Sequence, residues 1–493
     1  MNRMQPRRRT AAVVPDGTYR YQELADFIAR LVDRGTLLPG SRVPSLRQIS
    51  HERGMSLATA LQAYRLLEDR GVLEARPQSG YYVARSAHAR LEAPAISKTP
   101  STPRTVSLAA AVLRLFENAS DPSLVPLGCA VPSPELLAAG RLDRFLARAA
   151  RDRGVERNTY APSRGDRALR RALARRAARW GGALSPDDIV LTCGCTEALT
   201  LALQAVAQAG DTIAIESPTY FGVLHTLEVL NLRALELPTD PFTGVDPGAL
   251  EQALRQQSIK ACLLSSSLNN PLGCTPADDR KLQLLRILTK HRVPLIEDDI
   301  YGDIFFGERR STPFSALDPA ADVIYCSSFS KTVAPGYRIG WMMPGRHMQR
   351  VLERKMASTL SGLPLAQGAF ADYLASGGYD RHLRRIRGVF RDNIERMSQA
   401  ISRFFPEGTR VSRPSGGFVL WVELPRRIDT RELFDEALER GICFAPGDVF
   451  SATRRYGHCM RLSCGSPWST RIERALETLG RMARDAPDGR PPR

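Results

Sequence analysis

The stretch CSSFSKTVAPGYRIG, residues 326–340, sets one lysine among small hydroxyl side chains. Lys331 follows Ser328 and Ser330 closely, and Arg338 comes shortly after it. A lysine amine can form a Schiff base with a carbonyl compound, while hydroxyl groups and a bidentate guanidinium suit a phosphate. The stretch therefore predicts a binding site for a carbonyl compound that carries a phosphate.

This stretch lies between two short apolar runs that are typical of buried strands, and similar runs alternate with helical patterns upstream. The alternation predicts an α/β domain with a mainly parallel central sheet. Ligands of such sheets bind at the carboxyl ends of the strands, so the chemical residues should directly follow the runs. The predicted strands are DIVLT (188–192), TIAI (212–215), ACLLSS (261–266), PLIE (294–297), VIYC (323–326) and IGWMM (339–343).

Residues with cofactor-binding chemistry do follow these runs. A helix that begins after the first run would offer backbone N–H groups to an anion. A carboxylate behind a buried strand needs a cationic partner, and a protonated pyridine nitrogen is such a partner. An aromatic ring could lie against a cofactor ring, and amide or phenol groups could donate to a ring oxygen. Together these features predict pyridoxal 5′-phosphate (PLP), held by Cys195, Thr196, Tyr220, Asn270, Asp298, Tyr301, Ser328, Ser330, Lys331 and Arg338.

Residues 120–480 resemble the fold-type I PLP enzymes, specifically the class I/II aminotransferases. The motifs that carry the resemblance are TYAPSRGDRALR (159–170), CGCTEAL, ESPTYFG, NNPLG, EDDIYGD, SSFSKTVAPGYRIG and CMRLS. The resemblance implies a large domain at 105–345 with the PLP site and a smaller α+β domain at 346–483. It also implies that Arg461 pairs with the α-carboxylate of an amino acid, and that Tyr160 reaches the cofactor phosphate of a neighbouring subunit in a homodimer.

The first 85 residues have a different pattern. Leu24, Ile28 and Leu31 belong to one apolar helical face, which is expected to stop at Gly35. Ser45, with Gln48 three residues later, is a capping-box pattern for a second helix. Ser56 can cap a third helix that is expected to stop at Gly71, and its inward face is Ala60, Ala63, Tyr64 and Leu67. Two short strands with a turn at residues 76–80 follow. Three helices and a hairpin make a winged helix-turn-helix, whose third helix would enter the major groove of DNA.

This segment resembles the GntR-type DNA-binding domain through LLPGSRVPSLRQIS, GMSLATALQAYRLLEDRG and LEARPQSGYYVA. The family usually has a polar or basic residue where this chain has Leu57, so base contacts are expected from neighbouring side chains or from apolar contact with a thymine methyl group. Arginines could reach phosphates or the minor groove. The expected DNA-binding residues are Arg47, Ser56, Thr59, Gln62, Arg76, Ser79 and Gly80.

The whole chain has 493 residues and a formal net charge of +17, which suits a multidomain protein with a polyanionic partner. Its nine cysteines have no zinc-ligand spacing and are expected to be reduced thiols, so no metal is expected. No apolar run is long enough for a membrane span, and an intracellular, cytoplasmic protein is expected. Residues 86–104 read as a linker and residues 484–493 as a disordered tail.

The two halves together resemble the MocR type of bacterial transcription regulator. That resemblance implies a homodimer, arranged head to tail, that binds double-stranded DNA and responds to an amino acid, an amine or PLP itself. Lys331 would form an internal aldimine with PLP, and an amino compound held by Arg461 would replace it with an external aldimine. Two alternatives stay open: a working aminotransferase with a fused DNA-binding domain, and a sensor of the cofactor. The residues present do not decide whether turnover occurs.

Overall fold

The structure is a computed structural model that describes residues 20–33, 36–38, 40–69, 72–76, 79–83, 91–96, 99–119, 121–152 and 159–486. The chain divides into two compact units, residues 1–90 and 91–493. Within the described ranges, no helix is long and apolar enough to cross a membrane.

The first unit is a winged helix-turn-helix, as predicted. Its helices are α1 (Arg20–Asp33), α2 (Leu46–Glu52) and α3 (Leu57–Asp69), and its strands are β1 (Leu73–Arg76) and β2 (Gly80–Val83). The two strands pair antiparallel, with Leu73 opposite Val83 and Arg76 opposite Gly80. The helix stops that were expected at residues 35 and 71, and part of the turn at 77–78, lie outside the described residues.

Local capping chemistry explains where α2 and α3 begin. The Ser45 hydroxyl accepts a hydrogen bond from the Gln48 backbone N–H at 3.2 Å, and the Ser56 hydroxyl accepts one from Thr59 N–H at 3.1 Å. The predicted capping box at α2 forms only by half, because the Gln48 side chain donates to Glu52 instead of reaching back to the cap. The predicted inward face of α3 is confirmed, since Ala60, Ala63, Tyr64 and Leu67 are fully buried.

The second unit alternates helices and strands. Its helices are α4 (Ala109–Ala119), α5 (Ala139–Asp152), α6 (Arg167–Ala177), α7 (Gly194–Val206), α8 (Phe221–Val229), α9 (Pro247–Gln256), α10 (Asp278–His291), α11 (Phe314–Leu317), α12 (Met348–Ser358), α13 (Pro364–Ala375), α14 (Gly378–Phe404), α15 (Thr430–Glu439) and α16 (Thr470–Asp485). Its strands are β3 (Arg104–Thr105), β4 (Val125–Leu127), β5 (Val190–Cys193), β6 (Thr212–Ser217), β7 (Arg233–Asp240), β8 (Gly244–Val245), β9 (Ile259–Ser265), β10 (Leu295–Asp298), β11 (Val323–Ser328), β12 (Ile339–Met343), β13 (Arg410–Val411), β14 (Val419–Glu423), β15 (Ile442–Pro446) and β16 (Cys459–Ser463).

The larger sheet has the strand order β3-β7-β6-β9-β10-β11-β12-β5, with β8 paired to β7. Strands β7, β6, β9, β10 and β11 run parallel. Strand β12 runs antiparallel to both β11 and β5. The carboxyl ends of β5, β6, β9, β10 and β11 therefore lie at one edge of the sheet together with the amino end of β12, so that Arg338 reaches this edge from the residue before its strand.

Both faces of this sheet are buried, which explains the continuous apolar runs of its strands. Neighbouring residues point to opposite faces: Leu263 and Ile296 belong to one core, whereas Leu264 and Leu295 belong to the other. All six predicted strands exist, and none of their ends differs from the prediction by more than two residues. Strand β7 was not predicted, since its sequence RALELPTD contains a proline and charged residues.

A smaller sheet, ordered β13-β14-β16-β15-β4, belongs to the carboxyl-terminal part of the unit. Its last strand, β4, precedes every strand of the larger sheet except β3 and pairs parallel with β15. The predicted large domain of 105–345 therefore supplies one strand of the second sheet. No short-range pattern could predict this pairing, because more than 300 residues separate the two strands.

The described part of the predicted linker 86–104, residues 91–96 and 99–104, belongs to the second unit and contacts other parts of it. Arg413 donates to the Leu91 carbonyl, the Glu423 carboxylate accepts from Ala95 N–H at 2.8 Å, and Arg104 pairs with Ala234 at the edge of the larger sheet. The remaining linker positions, 86–90 and 97–98, lie outside the described residues. At the other end, α16 continues to Asp485, two residues into the predicted tail, and 487–493 lie outside the described residues.

Substitution of Gly340 tests the packing at the edge of the larger sheet where the carboxyl ends of the parallel strands lie. A Cβ at this position would lie 2.6 Å from the Gly194 carbonyl oxygen, which is a backbone atom and cannot turn away. We expect Gly340→Ala to lower the free energy of unfolding by about 1–3 kcal/mol, measured by urea denaturation. Gly336→Ala is the matched control, because a Cβ there meets nothing within 4 Å. Equal stability of the two variants would contradict this packing.

Candidate functional site

A cavity of about 260 Å³ opens at the carboxyl edge of the larger sheet. Most of the side chains predicted to bind the cofactor line it, although they come from six different strand ends. The predicted residues at its wall are Cys195, Thr196, Tyr220, Asn270, Asp298, Tyr301, Ser330, Lys331 and Arg338.

Three predicted residues do not line this wall. Ser328 is buried, and its hydroxyl accepts a hydrogen bond from Ser330 N–H at 3.3 Å, so it shapes the turn that carries Lys331. Arg461 lies behind the wall and is completely buried. Tyr160 is 81% exposed, and its expected contact with a neighbouring subunit stays a prediction.

Lys331 is the amine of the cavity. Its Nζ donates a hydrogen bond to the Ala130 carbonyl at 2.7 Å. Burial lowers the pKa of this amine to about 8, with the Arg461 charge acting in the same direction. A substantial fraction of the amine is therefore neutral near pH 8, as a nucleophile requires.

Asp298 is the acidic group of the cavity and ends β10. Its Oδ1 accepts from Ile300 N–H at 3.1 Å and from the Cys195 thiol at 3.6 Å. Burial is the main reason why the pKa of Asp298 is raised to about 6. Its neighbour Asp299 points elsewhere: it is buried and pairs with Arg310, and it also accepts from the Tyr325 hydroxyl at 2.7 Å. The two adjacent carboxylates thus have separate partners.

Arg338 and the first turn of α7 form the anion-binding end of the cavity. Arg338 is exposed and donates to the Cys193 carbonyl at 2.9 Å. Within the described residues it forms no ion pair. A side chain at Gly194 would lie 2.7 Å from the Arg338 guanidinium, so glycine is what allows this close approach. The free N–H groups of the α7 amino terminus and the guanidinium together suit a phosphate.

Tyr220 supplies an aromatic surface to the cavity. Its ring packs against Phe221 with centroids 4.7 Å apart. A Cβ at Gly222 would overlap the Tyr220 ring, so this glycine fixes where the ring can lie. Tyr301 is also buried, and its hydroxyl has no hydrogen-bond partner of good geometry in the part of the chain that the structure describes. Such a buried hydroxyl suits a ligand oxygen.

Arg461, on β16, is a buried guanidinium with neutral partners. It donates to the Gly128 carbonyl and to Asn270 Oδ1, the latter at 3.3 Å. Its Nε has no partner among the described residues, and no carboxylate there forms an ion pair with it. The guanidinium lies 5.6 Å from the Phe221 ring centre and 5.3 Å from that of Phe450. Burial lowers the pKa of Arg461.

The loop 128–131 is a part of the site that sequence reasoning missed. Its Gly128 carbonyl accepts from Arg461 and its Ala130 carbonyl accepts from Lys331, so one short loop holds both cations. Phe116, on α4, also lines the cavity. No sequence signal could identify the loop, because its contacts are made by backbone atoms.

The predicted DNA-binding residues lie on α2, α3 and the hairpin. Arg47, Ser56 and Gln62 are exposed, and Thr59 is half-buried with its hydroxyl 2.8 Å from that of Ser56. Arg76 is less free than expected, because it pairs with Glu74 at 2.5 Å and lies over the Tyr82 ring at 4.2 Å.

At the hairpin tip, the predicted residues Ser79 and Gly80 both have neighbours within the first unit. The Ser79 hydroxyl hydrogen-bonds to that of Tyr82 at 2.6 Å. Gly80 has φ +99° and lies beside Arg42, a residue that sequence reasoning did not select.

The fold and the cavity define an aminotransferase-type α/β unit joined to a winged helix. The family model for aminotransferase class I and II matches residues 135–479, and the model for bacterial regulatory proteins of the gntR family matches residues 20–83. The chain belongs to the family of HTH-type transcriptional regulators with this architecture, the MocR type.

Relatives of the same architecture span nearly the whole chain. The HTH-type transcriptional regulator YdcR of Escherichia coli (strain K12) is 39% identical over 94% of this chain and 99% of its own length. YjiR of the same organism is 36% identical over 94% of this chain and 98% of its own length.

Solved aminotransferase structures match the second unit. The α-aminoadipate aminotransferase LysN of Thermus thermophilus, complexed with N-(5′-phosphopyridoxyl)-L-leucine, superposes with a TM-score of 0.69 at 27% identity, covering 77% of this chain and 98% of that one. Kynurenine aminotransferase of Pyrococcus horikoshii has a TM-score of 0.70 at 27% identity, covering 78% and 95%.

The lowered pKa of Lys331 predicts a pH-dependent stability. Below about pH 8 the amine is charged in both the folded and the unfolded chain, and its burial costs free energy. Between about pH 8 and 10.5 the folded amine loses its proton first, so this cost disappears as the pH rises. In protein dialysed against hydroxylamine to remove bound aldehydes, we expect Lys331→Met to be more stable than the parent by about 2 kcal/mol at pH 7.

That difference should narrow as urea denaturation is repeated at rising pH up to about 10. The control is Lys260→Met, because Lys260 is exposed. A gap that stays constant or widens with pH would show that Lys331 is not a desolvated amine.

Proposed function

We propose that this regulator binds PLP covalently through Lys331 and changes its DNA binding when an amino acid or amine enters the same cavity. The observation that carries the proposal is the cavity itself, where a lysine with a lowered pKa lies between an anion-binding end at Arg338 and a carboxylate, Asp298.

The residues of the cavity fit the phosphate, the ring nitrogen and the ring oxygen of PLP. Arg338, Ser330 and the amino terminus of α7 would hold the phosphate. Asp298 would keep the ring nitrogen protonated. The positive charge of that nitrogen would in turn offset the cost of burying the Asp298 carboxylate. Tyr220 would lie against the ring, and Asn270 and Tyr301 would contact the ring oxygen. When bound, PLP supplies an aldehyde for covalent attachment and a ring that withdraws electrons. Tyr160 of a second copy would complete the phosphate contacts in a homodimer.

Arg461 supports an amino acid as the effector. A buried guanidinium without a carboxylate partner is costly, and a ligand carboxylate is a stronger acceptor than the carbonyl and amide oxygens that Arg461 now contacts. Once an amino compound has replaced Lys331 as the covalent partner, the lysine amine is free to move a proton at the α-carbon of that compound. Because the chain has the Lys331 amine, transamination remains a candidate activity.

Coupling to DNA can proceed through the loop 128–131. A ligand carboxylate at Arg461 competes with the Gly128 carbonyl, and removal of Lys331 from its resting position releases the Ala130 carbonyl. The chain leads back from this loop through β4, α4 and β3 to the segment that connects to the DNA-binding unit. Binding of the effector and binding of DNA would then be coupled through this one segment, as an allosteric linkage requires.

A working aminotransferase is the second candidate, because Lys331, Asp298 and Arg338 line one cavity. The chain is also 29% identical to the 2-aminoadipate transaminase of Thermus thermophilus, over 76% of this chain and 93% of that one. Steady conversion of an amino donor and a keto acid at ordinary aminotransferase rates would favour it. A third candidate is a sensor of PLP itself, for which reversible loss and uptake of PLP at low concentration should alter DNA binding without any amino acid.

Substitution of Lys331 tests the covalent attachment. We expect purified protein to show visible absorbance that Lys331→Ala abolishes, because no other amine lines the cavity within the described residues. Borohydride reduction should place a pyridoxyl group on the peptide that contains Lys331. The control Lys260→Ala changes an exposed lysine and should keep the absorbance. An unchanged spectrum in Lys331→Ala would refute the assignment.

Substitutions in the first unit test the DNA contacts. In the full-length protein, Arg47→Ala should weaken binding to all DNA sequences and lower the slope of log affinity against log salt by about 1, as loss of one phosphate contact does. Gln62→Ala should instead cost about 1–3 kcal/mol for operator DNA only, because a base contact carries sequence information. The control is Glu23→Ala on α1, an exposed charge of the same unit.

Fluorescence anisotropy with operator and scrambled duplexes measures both effects. If Gln62→Ala weakened both duplexes equally, its assignment as a base contact would be wrong.

A further inference from the structure

The charged groups at the cavity all lie where the cofactor and the amino acid backbone would bind. Among the described residues that line it, only Asp298, Lys331 and Arg338 carry a charge, and each has an assigned role in the proposed function. Arg461 lies behind the wall, where a ligand carboxylate would meet it. The lining that this chain supplies therefore offers a ligand side chain no further counter-charge among the described residues.

Part of the remaining lining is apolar. Four of these apolar side chains, which we term the outer wall, are Phe116, Val131, Phe221 and Val223. Phe116 and Val131 are 44% and 40% exposed, so they stand at the mouth of the cavity. Phe221 is buried and joins this mouth to the interior, because its ring contacts Phe116 edge to face at 5.7 Å and lies beneath the Arg461 guanidinium at 5.6 Å.

The position of Phe116 is held by contacts at the amino end of its helix. The Glu228 carboxylate, on α8, accepts hydrogen bonds from Leu108 N–H at 2.9 Å and Ala109 N–H at 3.1 Å. Since Phe221 lies on the same α8, this cap fixes α4 against the helix whose ring Phe116 touches. The outer wall is thus a built surface with a fixed aromatic edge.

We propose that the effector is an α-amino acid with an apolar or aromatic side chain, and that Phe116 determines this specificity. The inference rests on the proposed function. With its amine at Lys331 and its carboxylate at Arg461, the ligand must direct its side chain along the outer wall. An apolar side chain would bury its own surface together with Phe116 and Val131. A carboxylate or ammonium group would be desolvated there without a partner.

The test is a titration of the full-length protein with L-leucine, L-phenylalanine, L-glutamate and L-lysine, followed by visible absorbance. Leucine and phenylalanine should bind at least about tenfold more tightly than glutamate and lysine, because the charged side chains lose hydration. Phe116→Ala should weaken phenylalanine binding by about tenfold through loss of an aromatic contact, with little change for glutamate and lysine. Phe116→Arg should improve glutamate relative to leucine.

The matched control is Leu113→Ala, because Leu113 lies on the same helix, is 60% exposed and does not line the cavity. Glutamate or lysine binding as tightly as leucine would overturn the inference, and so would a Phe116→Ala variant that weakens all four ligands equally. If visible absorbance depends on Lys331 but none of the four amino acids changes it, this inference fails while the cofactor assignment stands. Absence of any such absorbance would refute the proposed function itself.

Discussion

Two cations, Lys331 and Arg461, are held by carbonyl oxygens of a single short loop, residues 128–131. A desolvated charge must be neutralised, paired or hydrogen-bonded. In this protein neither amine nor guanidinium has a carboxylate at bonding distance within the described residues, so neutral carbonyls carry the hydrogen bonds. The arrangement holds the cations in place without pairing their charge, so an anion that reaches either of them would gain an ion pair.

The sheet topology places those cations together. Lys331 follows the carboxyl end of β11, whereas Arg461 lies on β16 of the smaller sheet. The loop that contacts both follows β4, which joins the smaller sheet by pairing with β15. The site is thus assembled from both sheets. The loop 128–131 is linked along the chain to the DNA-binding unit through β4, α4 and β3. A change in the position of this segment is a local event with a short path along the chain to that unit.

The sequence was most informative where chemistry follows a strand. Runs such as VIYC and IGWMM predicted strands because buried parallel strands are continuously apolar, and the residues after them could be assigned by chemical type. Contacts made by backbone atoms were beyond reach, as Gly128 and Ala130 illustrate. Partners distant in sequence were also missed, such as Arg310 for Asp299. The Ser328 hydroxyl accepts from Ser330 N–H in the turn that carries Lys331, which does not use its O–H donor, so its contact with a phosphate stays a prediction.

Sensing and turnover make different demands on the same cavity. A sensor needs the ligand to replace one set of contacts by another, and allosteric coupling typically amounts to about 1–3 kcal/mol. Exchange of the Gly128 carbonyl for a ligand carboxylate at Arg461 would replace a hydrogen bond to a neutral oxygen by an ion pair, which is the kind of differential contact that such coupling needs. Turnover needs in addition that Lys331, once released, returns to the α-carbon of the ligand. If release of Lys331 also frees the loop, the motion that signals to the DNA-binding unit competes with the positioning that catalysis requires. One set of residues can therefore serve a regulator without any of them being lost.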